Sequence, residues 1–248
     1  MAFTDKGNTL GLRPSTTLYL NITMPADNKD NRNSYKLIIS TAAVIALLAG
    51  LFASQQFNNT PATPPELNNA TLLLPPKLIQ PSGLIDHNSQ PFNLEQMKGY
   101  WSFVFFGYTN CPDVCPATLF QFKTIAKMLD SHPDVKAKTR FILVSIDPER
   151  DTAKHLKEYV QYYHPDFIGV TGNNKDIYTF SRQMGVIFQR QEPEAKSEPD
   201  DYLVDHSSAI LMLNPKGQLQ VIYSAPHQAE GILKDYLSIY QYITGLNS

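Results

Sequence analysis

Polar and apolar residues mix without a period over residues 1–34 and then give way to Leu37–Ala53, 17 residues that carry no charge. The first stretch predicts a flexible tail. The second predicts a membrane-spanning helix at the lower limit of length, placed over 35–57. Between 58 and 81, Pro61, Pro64, Pro65, Pro75, Pro76 and Pro81 stand among Asn and Thr, the pattern of an extended linker. From 82 to 248, apolar runs alternate with helical periodicities, which predicts one folded domain.

Within that domain, Trp101–Tyr108 (WSFVFFGY) and Arg140–Ile146 (RFILVSI) are continuous apolar runs of the buried-strand kind. Leu119, Phe122, Ile125, Ala126 and Leu129 share one helical face, and Leu156, Tyr159, Val160 and Tyr163 share another. A hairpin is predicted around Asn214-Pro215-Lys216-Gly217, with Pro and Gly at the second and fourth turn positions. A last amphipathic helix runs through Ile232, Leu233, Tyr236, Leu237 and Tyr240. The order βαβα, a further segment, then ββα predicts an α/β domain whose central mixed sheet carries helices on both faces.

Charge changes the picture in one place. The 248 residues carry a formal net charge of -2 without a long basic run, which gives no footprint for nucleic acid. Five basic residues (Lys6, Arg13, Lys29, Arg32, Lys36) precede the apolar span, and the next one is Lys77. The positive-inside rule then keeps the tail in the cytoplasm and sends the C-terminal bulk across the membrane. That side, the periplasm in a bacterium, is where cysteines can be oxidised.

The chain has two cysteines, Cys111 and Cys115, each followed by proline. They fall between a buried strand and an amphipathic helix, where α/β sheets present reactive groups. Pro116 predicts that the regular helix begins there with Cys115 at its cap, and a thiol at a helix start is expected to have a depressed pKa. A structural disulfide across so short a loop would stabilise little. Zinc would call for a second Cys or His pair, which the spacing lacks. Two thiolates and one imidazole suit soft Cu(I). Of the six histidines, His132, His155 and His164 read as surface residues, while His206, ahead of an apolar strand, is the best third ligand or else a satisfied structural histidine. Dithiol exchange without metal remains open, as does an interaction domain with incidental cysteines. A peroxidase of the peroxiredoxin kind would want Thr or Ser three residues before the reactive sulfur, where Tyr108 and Pro112 stand.

The blocks Phe106–Leu119 (FGYTNCPDVCPATL), Val144–Thr152 (VSIDPERDT) and Tyr202–Gly217 (YLVDHSSAILMLNPKG) resemble, in order, those of the Sco/SenC family, membrane-anchored copper chaperones of cytochrome c oxidase assembly. The resemblance runs from about Leu84 to the C-terminus. It implies a thioredoxin-like fold in which Cys111, Cys115 and His206 bind copper as Cu(I) or Cu(II), and a Cys111–Cys115 disulfide that releases it. It further implies delivery to the binuclear copper centre of cytochrome c oxidase subunit II, or, as the alternative, reduction of that subunit's cysteines by a thiol–disulfide oxidoreductase. An upstream periplasmic copper donor or thiol reductant would serve it. The implied location is a bacterial inner membrane with the domain in the periplasm, or a mitochondrial inner membrane facing the intermembrane space. Asp147, in the second block, would orient the site from outside its ligands or cap a turn ahead of Pro148. The acidic stretch Glu192–Asp201 reads as a solvated loop or a docking strip for a basic partner.

Overall fold

The computed structural model describes residues 29–57, 63–191 and 202–245, with side chains in the first of these segments described over 35–51. The chain divides between Thr60 and Pro61 into two units. In the first, α1 (Lys29–Phe57) is a continuous helix of 29 residues. It takes in the last positions of the expected tail because no proline interrupts it; the rest of that tail, 1–28, lies outside the described residues. Every described side chain from Tyr35 to Leu51 is exposed. Among the described residues no helix is long and apolar enough to cross a membrane. The uncharged run rises only about 25 Å against roughly 30 Å of hydrocarbon.

The second unit is built on an eight-stranded mixed sheet. Its strands are β1 (Ala70–Lys77), β2 (Leu84–Asp86), β3 (Pro91–Phe92), β4 (Trp101–Gly107), β5 (Thr139–Ser145), β6 (Ile168–Gly172), β9 (Ile210–Leu213) and β10 (Leu219–Tyr223), in the order β1-β10-β9-β4-β5-β6-β2-β3. β4, β5 and β6 are parallel, and every other pairing is antiparallel. β7 (Phe188–Arg190) and β8 (Val204–His206) form a separate two-stranded sheet. The helices are α2 (Leu94–Met97), α3 (Val114–Met128), α4 (Pro133–Lys136), α5 (Ala153–Tyr163), α6 (Asn174–Met184) and α7 (Ala229–Gly245). The expected order holds from β4 onward, with β6-α6-β7-β8 as its unspecified segment; β2, β3 and α2 ahead of it and the short α4 between α3 and β5 were not expected.

β4 is buried at all seven positions, which is why it reads as an unbroken apolar run rather than an alternation. Strand geometry sends Phe103 and Phe106 to opposite faces. Phe103 meets Phe122 of α3 and Tyr236 of α7 at centroid distances of 6.0 and 5.1 Å. Phe106 meets Phe180 of α6 at 5.6 Å, so helices cover both faces as expected. The predicted turn closes with the Gly217 N–H donating to the Asn214 carbonyl at 2.8 Å, and Gly217 sits at a φ of 74° that favours glycine.

The linker expected over 58–81 and the domain start at 82 need correction, since β1 lies inside that stretch and pairs with β10 from Ala70↔Tyr223 to Leu72↔Val221. Leu72, Leu73 and Leu74 supply strand-forming side chains. Pro75 and Pro76 are tolerated because β1 is the sheet's edge, and the register breaks between Leu72 and Lys77, where they fall. The buried Asp235 carboxylate fastens the segment by accepting hydrogen bonds from the backbone N–H groups of Asn68 and Asn69 and from the Asn68 amide.

Candidate metal centre

The two cysteines sit where β4 hands over to α3. The chain leaves the sheet at Gly107, where a Cβ would lie 2.7 Å from the Cys115 sulfur and 2.9 Å from the Phe105 ring; only glycine lets the helix start approach the strand this closely. The loop that follows is tied down from below. Thr109 donates its Oγ1–H to the Asp151 carboxylate at 2.5 Å and its N–H at 3.1 Å, and Ser145 at the end of β5 donates to the same carboxylate at 2.6 Å. Asp151 is fully buried. Burial raises its pKa, while the hydrogen bonds from Ser145 and Thr109 pull it back.

α3 begins at Val114 behind Asp113, two residues before the start that Pro116 suggests. The first-turn N–H groups of a helix have no partner within it, so the one that proline lacks is not missed there. Cys115 is consequently inside the first turn and buried, with Cys111 just ahead of the helix. Both are free thiols. The acidity is the reverse of the expectation. The hydrogen bond from Cys115, aided by the N–H groups of Asp113 and Cys115, holds the Cys111 thiol down at about 5 against the effect of burial. That same hydrogen bond and deep burial push Cys115 up. The helix start favours a thiolate, and the sulfur placed to profit is the one outside the helix.

His206 ends β8. Its Nδ1–H donates to the Ser207 carbonyl at 3.0 Å, which leaves the Nε2 lone pair facing the Cys115 sulfur at 3.6 Å. The rings of Phe105 and Tyr108 stand edge-on to the imidazole at 5.7 and 6.1 Å. Among the described residues, Cys111, Cys115 and His206 form the one group able to hold a metal ion, with their donor atoms all within 4.8 Å of one another. Donors of a single ion at bond lengths of about 2.0–2.3 Å fall within about 4.6 Å of each other, so a slight contraction of the group would bring all three onto one metal. Two thiolates and an imidazole make a soft set that favours a thiophilic ion over calcium or magnesium.

Asp147 is not in that group. One carboxylate oxygen accepts the Tyr202 hydroxyl at 2.7 Å and the other accepts the Arg150 Nε–H. The remaining histidines stand elsewhere. His132 and His155 are exposed as expected, but His164 is half-buried and stacks on Phe167 at 5.2 Å. His87 is a satisfied core histidine, with Nδ1 accepting from the Gly169 N–H at 2.9 Å. The acidic stretch Glu192–Asp201 lies outside the described residues. Sequence reasoning missed Asp151, Arg150, Tyr202 and Tyr108 around the centre. Asp151 and Arg150 stand beside Asp147 in the block DPERD, and four charged side chains within five residues after a buried strand are the signal that could have found them.

Known proteins resemble this chain over its folded domain. The SCO1/SenC family model matches residues 73–241. A candidate copper-binding protein of Stutzerimonas stutzeri is 36% identical over 168 residues, which cover 67% of this chain and 79% of that protein. The mitochondrial SCO2 homolog of Mus musculus is 34% identical over 165 residues, 66% of this chain and 62% of its own length. The crystal structure of Arabidopsis thaliana ScoI with copper bound aligns with a TM-score of 0.59 at 28% identity, covering 66% of this chain and 97% of that one. The folded domain is thus a Sco-like thioredoxin fold with a central mixed sheet, and the chain belongs to the SCO1/SenC family.

Proposed function

We propose that the chain is a copper-binding metallochaperone of cytochrome c oxidase assembly that holds copper through Cys111, Cys115 and His206 and delivers it to the binuclear copper centre of subunit II. The observation that carries this reading is the convergence of two sulfurs and an imidazole nitrogen within 4.8 Å. Copper is the cargo. As Cu(I) it accepts a low coordination number and prefers sulfur, and oxidation of both cysteines to a disulfide, with two electrons lost, removes two of the three donors. Loading then depends on redox state and draws on an upstream copper donor and a thiol reductant. In the test, reduced chain mixed with Cu(I) and desalted without oxygen should retain copper, and chain oxidised with diamide should not. Equal retention by both would contradict the reading.

A second reading has its own support. A Cys111 thiol lowered to about 5 beside a protonated Cys115 is the asymmetry of a thiol–disulfide reductase, in which Cys111 attacks a disulfide of subunit II and Cys115 resolves the mixed disulfide. Under that reading a Cys115→Ser variant accumulates a mixed disulfide with a subunit II peptide. Under the chaperone reading it loses metal instead.

α1 is read as the anchor. The uncharged run Leu37–Ala53, the exposed apolar side chains along it and the basic residues ahead of it support a single pass in which the bilayer thins locally to meet the short run, with the domain in the periplasm, or in the intermembrane space if the membrane is mitochondrial. Extraction of the expressed chain from membranes by alkaline carbonate would contradict the anchor.

A further inference from the structure

The hairpin that carries His206 has no backbone ladder to the main sheet. β7 and β8 pair only with each other, Phe188 opposite His206 and Arg190 opposite Val204. Side chains fasten it instead, and three of them come from Asp147, Glu149 and Arg150, in the turn after β5. Asp147 accepts the Tyr202 hydroxyl at 2.7 Å. Arg150 donates from Nη1 to the Tyr202 carbonyl at 3.1 Å and lays its guanidinium 3.7 Å from the centre of the Tyr202 ring. Arg190 from β7 lies 3.4 Å from the centre of the same ring. Two guanidinium groups cannot share one face at these distances, so Tyr202 is sandwiched between them.

Charge alternates through the stack. Arg150 is paired with Asp147, and Arg190 with Glu149 at 3.0 Å, so neither cation faces the other uncompensated. Arg150 also reaches toward the ring of Tyr108, 5.6 Å away, whose hydroxyl accepts the Val204 N–H at 3.2 Å. Tyr202 and Asp147 are 5% and 4% exposed, a degree of burial that makes the stack a fixed joint rather than a surface decoration.

We infer that the Arg150–Tyr202–Arg190 stack is a positioning device that sets His206 against the cysteines and so controls metal affinity without touching the ion. The inference rests on the copper reading for its affinity readout. It also explains what the turn after β5 does for the site: Asp147 acts on the hairpin through Tyr202 and Arg150. Groups that orient a ligand typically change metal affinity about 10–100-fold when removed.

The test uses the full chain in mild detergent with Tyr202→Leu, Tyr202→Phe and Arg190→Met, each also built on His206→Ala. Tyr202→Leu should weaken Cu(I) binding about 10–100-fold. Tyr202→Phe keeps both ring faces and should restore most of that loss, and Arg190→Met, at an exposed position that folds without difficulty, should show a smaller weakening. On the His206→Ala background none of the three should weaken binding further. In metal-free protein, amide exchange at Val204–His206 should rise about tenfold in Tyr202→Leu while Phe103–Phe106 stay protected. Equal losses with and without His206, or unchanged exchange in the hairpin, would overturn the inference. If the wild-type chain holds no Cu(I), the copper reading falls, and the exchange result alone decides whether the stack holds the hairpin.

Discussion

The cysteines and the histidine reach the centre by different routes. Cys111 and Cys115 hang between a strand buried at every position and a helix packed on its face, so their placement is inherited from the core. His206 stands on a two-stranded ribbon outside the main sheet, held by a hydrogen bond to Tyr108 and by the stacked arginines. Core packing is cooperative and costly to disturb, whereas a few polar and cation–π contacts at an edge are not. One half of the site is scaffold and the other half is attachment.

Cutting into the scaffold should have the largest effect. Phe122 is fully buried and meets Phe103, Phe141 and Phe167. Phe122→Ala should cost about 3–5 kcal/mol of stability, read as a lowered denaturant midpoint, whereas Arg190→Met in the attachment should cost no more than about 1 kcal/mol. Similar losses from the two would erase the distinction. Gly107→Ala comes next. Its methyl group collides with the Cys115 sulfur, so stability should fall by about 1–3 kcal/mol and thiol reactivity should change at Cys115, while amide exchange in the hairpin stays as it was.

The smallest effect is a titration. In reduced, metal-free protein, iodoacetamide should modify Cys111 with a rate that climbs as pH rises through about 5 and levels off above it. A lowered pKa means thiolate above that value and thiol below it, while an ordinary cysteine climbs only near about 8.5. Cys115 should stay unmodified to well above neutrality, because its pKa is raised. Mass spectrometry of the modified peptide assigns the site, and faster modification of Cys115 would reverse the assignment.

The scaffold half was legible in the sequence and the attached half was not. Trp101–Gly107 announced itself by unbroken apolarity, and Leu119, Phe122, Ile125 and Ala126 by a helical period that matches the buried face of α3. Phe188–Arg190 and Val204–His206 have no such signal. Each is three residues long, with a burial pattern too short to show a period, and their fixation depends on Arg150 and Tyr202, which are 52 positions apart. β1 was hidden for another reason: its prolines argue against a central strand and say nothing against an edge. The order of the two thiol acidities was illegible because it depends on which sulfur donates to the other, a matter of placement around the helix start. The Cys-x-x-x-Cys pair could be singled out by residue type, since the chain has two cysteines, and His206 from among six histidines by its place ahead of an apolar strand.

The central claim is that three side chains act together on one ion. The most direct measurement is a Cu(I) competition titration of the reduced full chain against a chromophoric chelator, beside Cys111→Ser, Cys115→Ser and His206→Ala. Truncation at 82 is avoided because it would remove β1. The account predicts one tightly held ion in the wild type, loss of effective competition in either cysteine variant, and a weaker but measurable affinity in His206→Ala. Wild-type affinity retained in His206→Ala would contradict the three-ligand site, and a wild-type chain that never competes for Cu(I) would leave the cysteines to dithiol exchange.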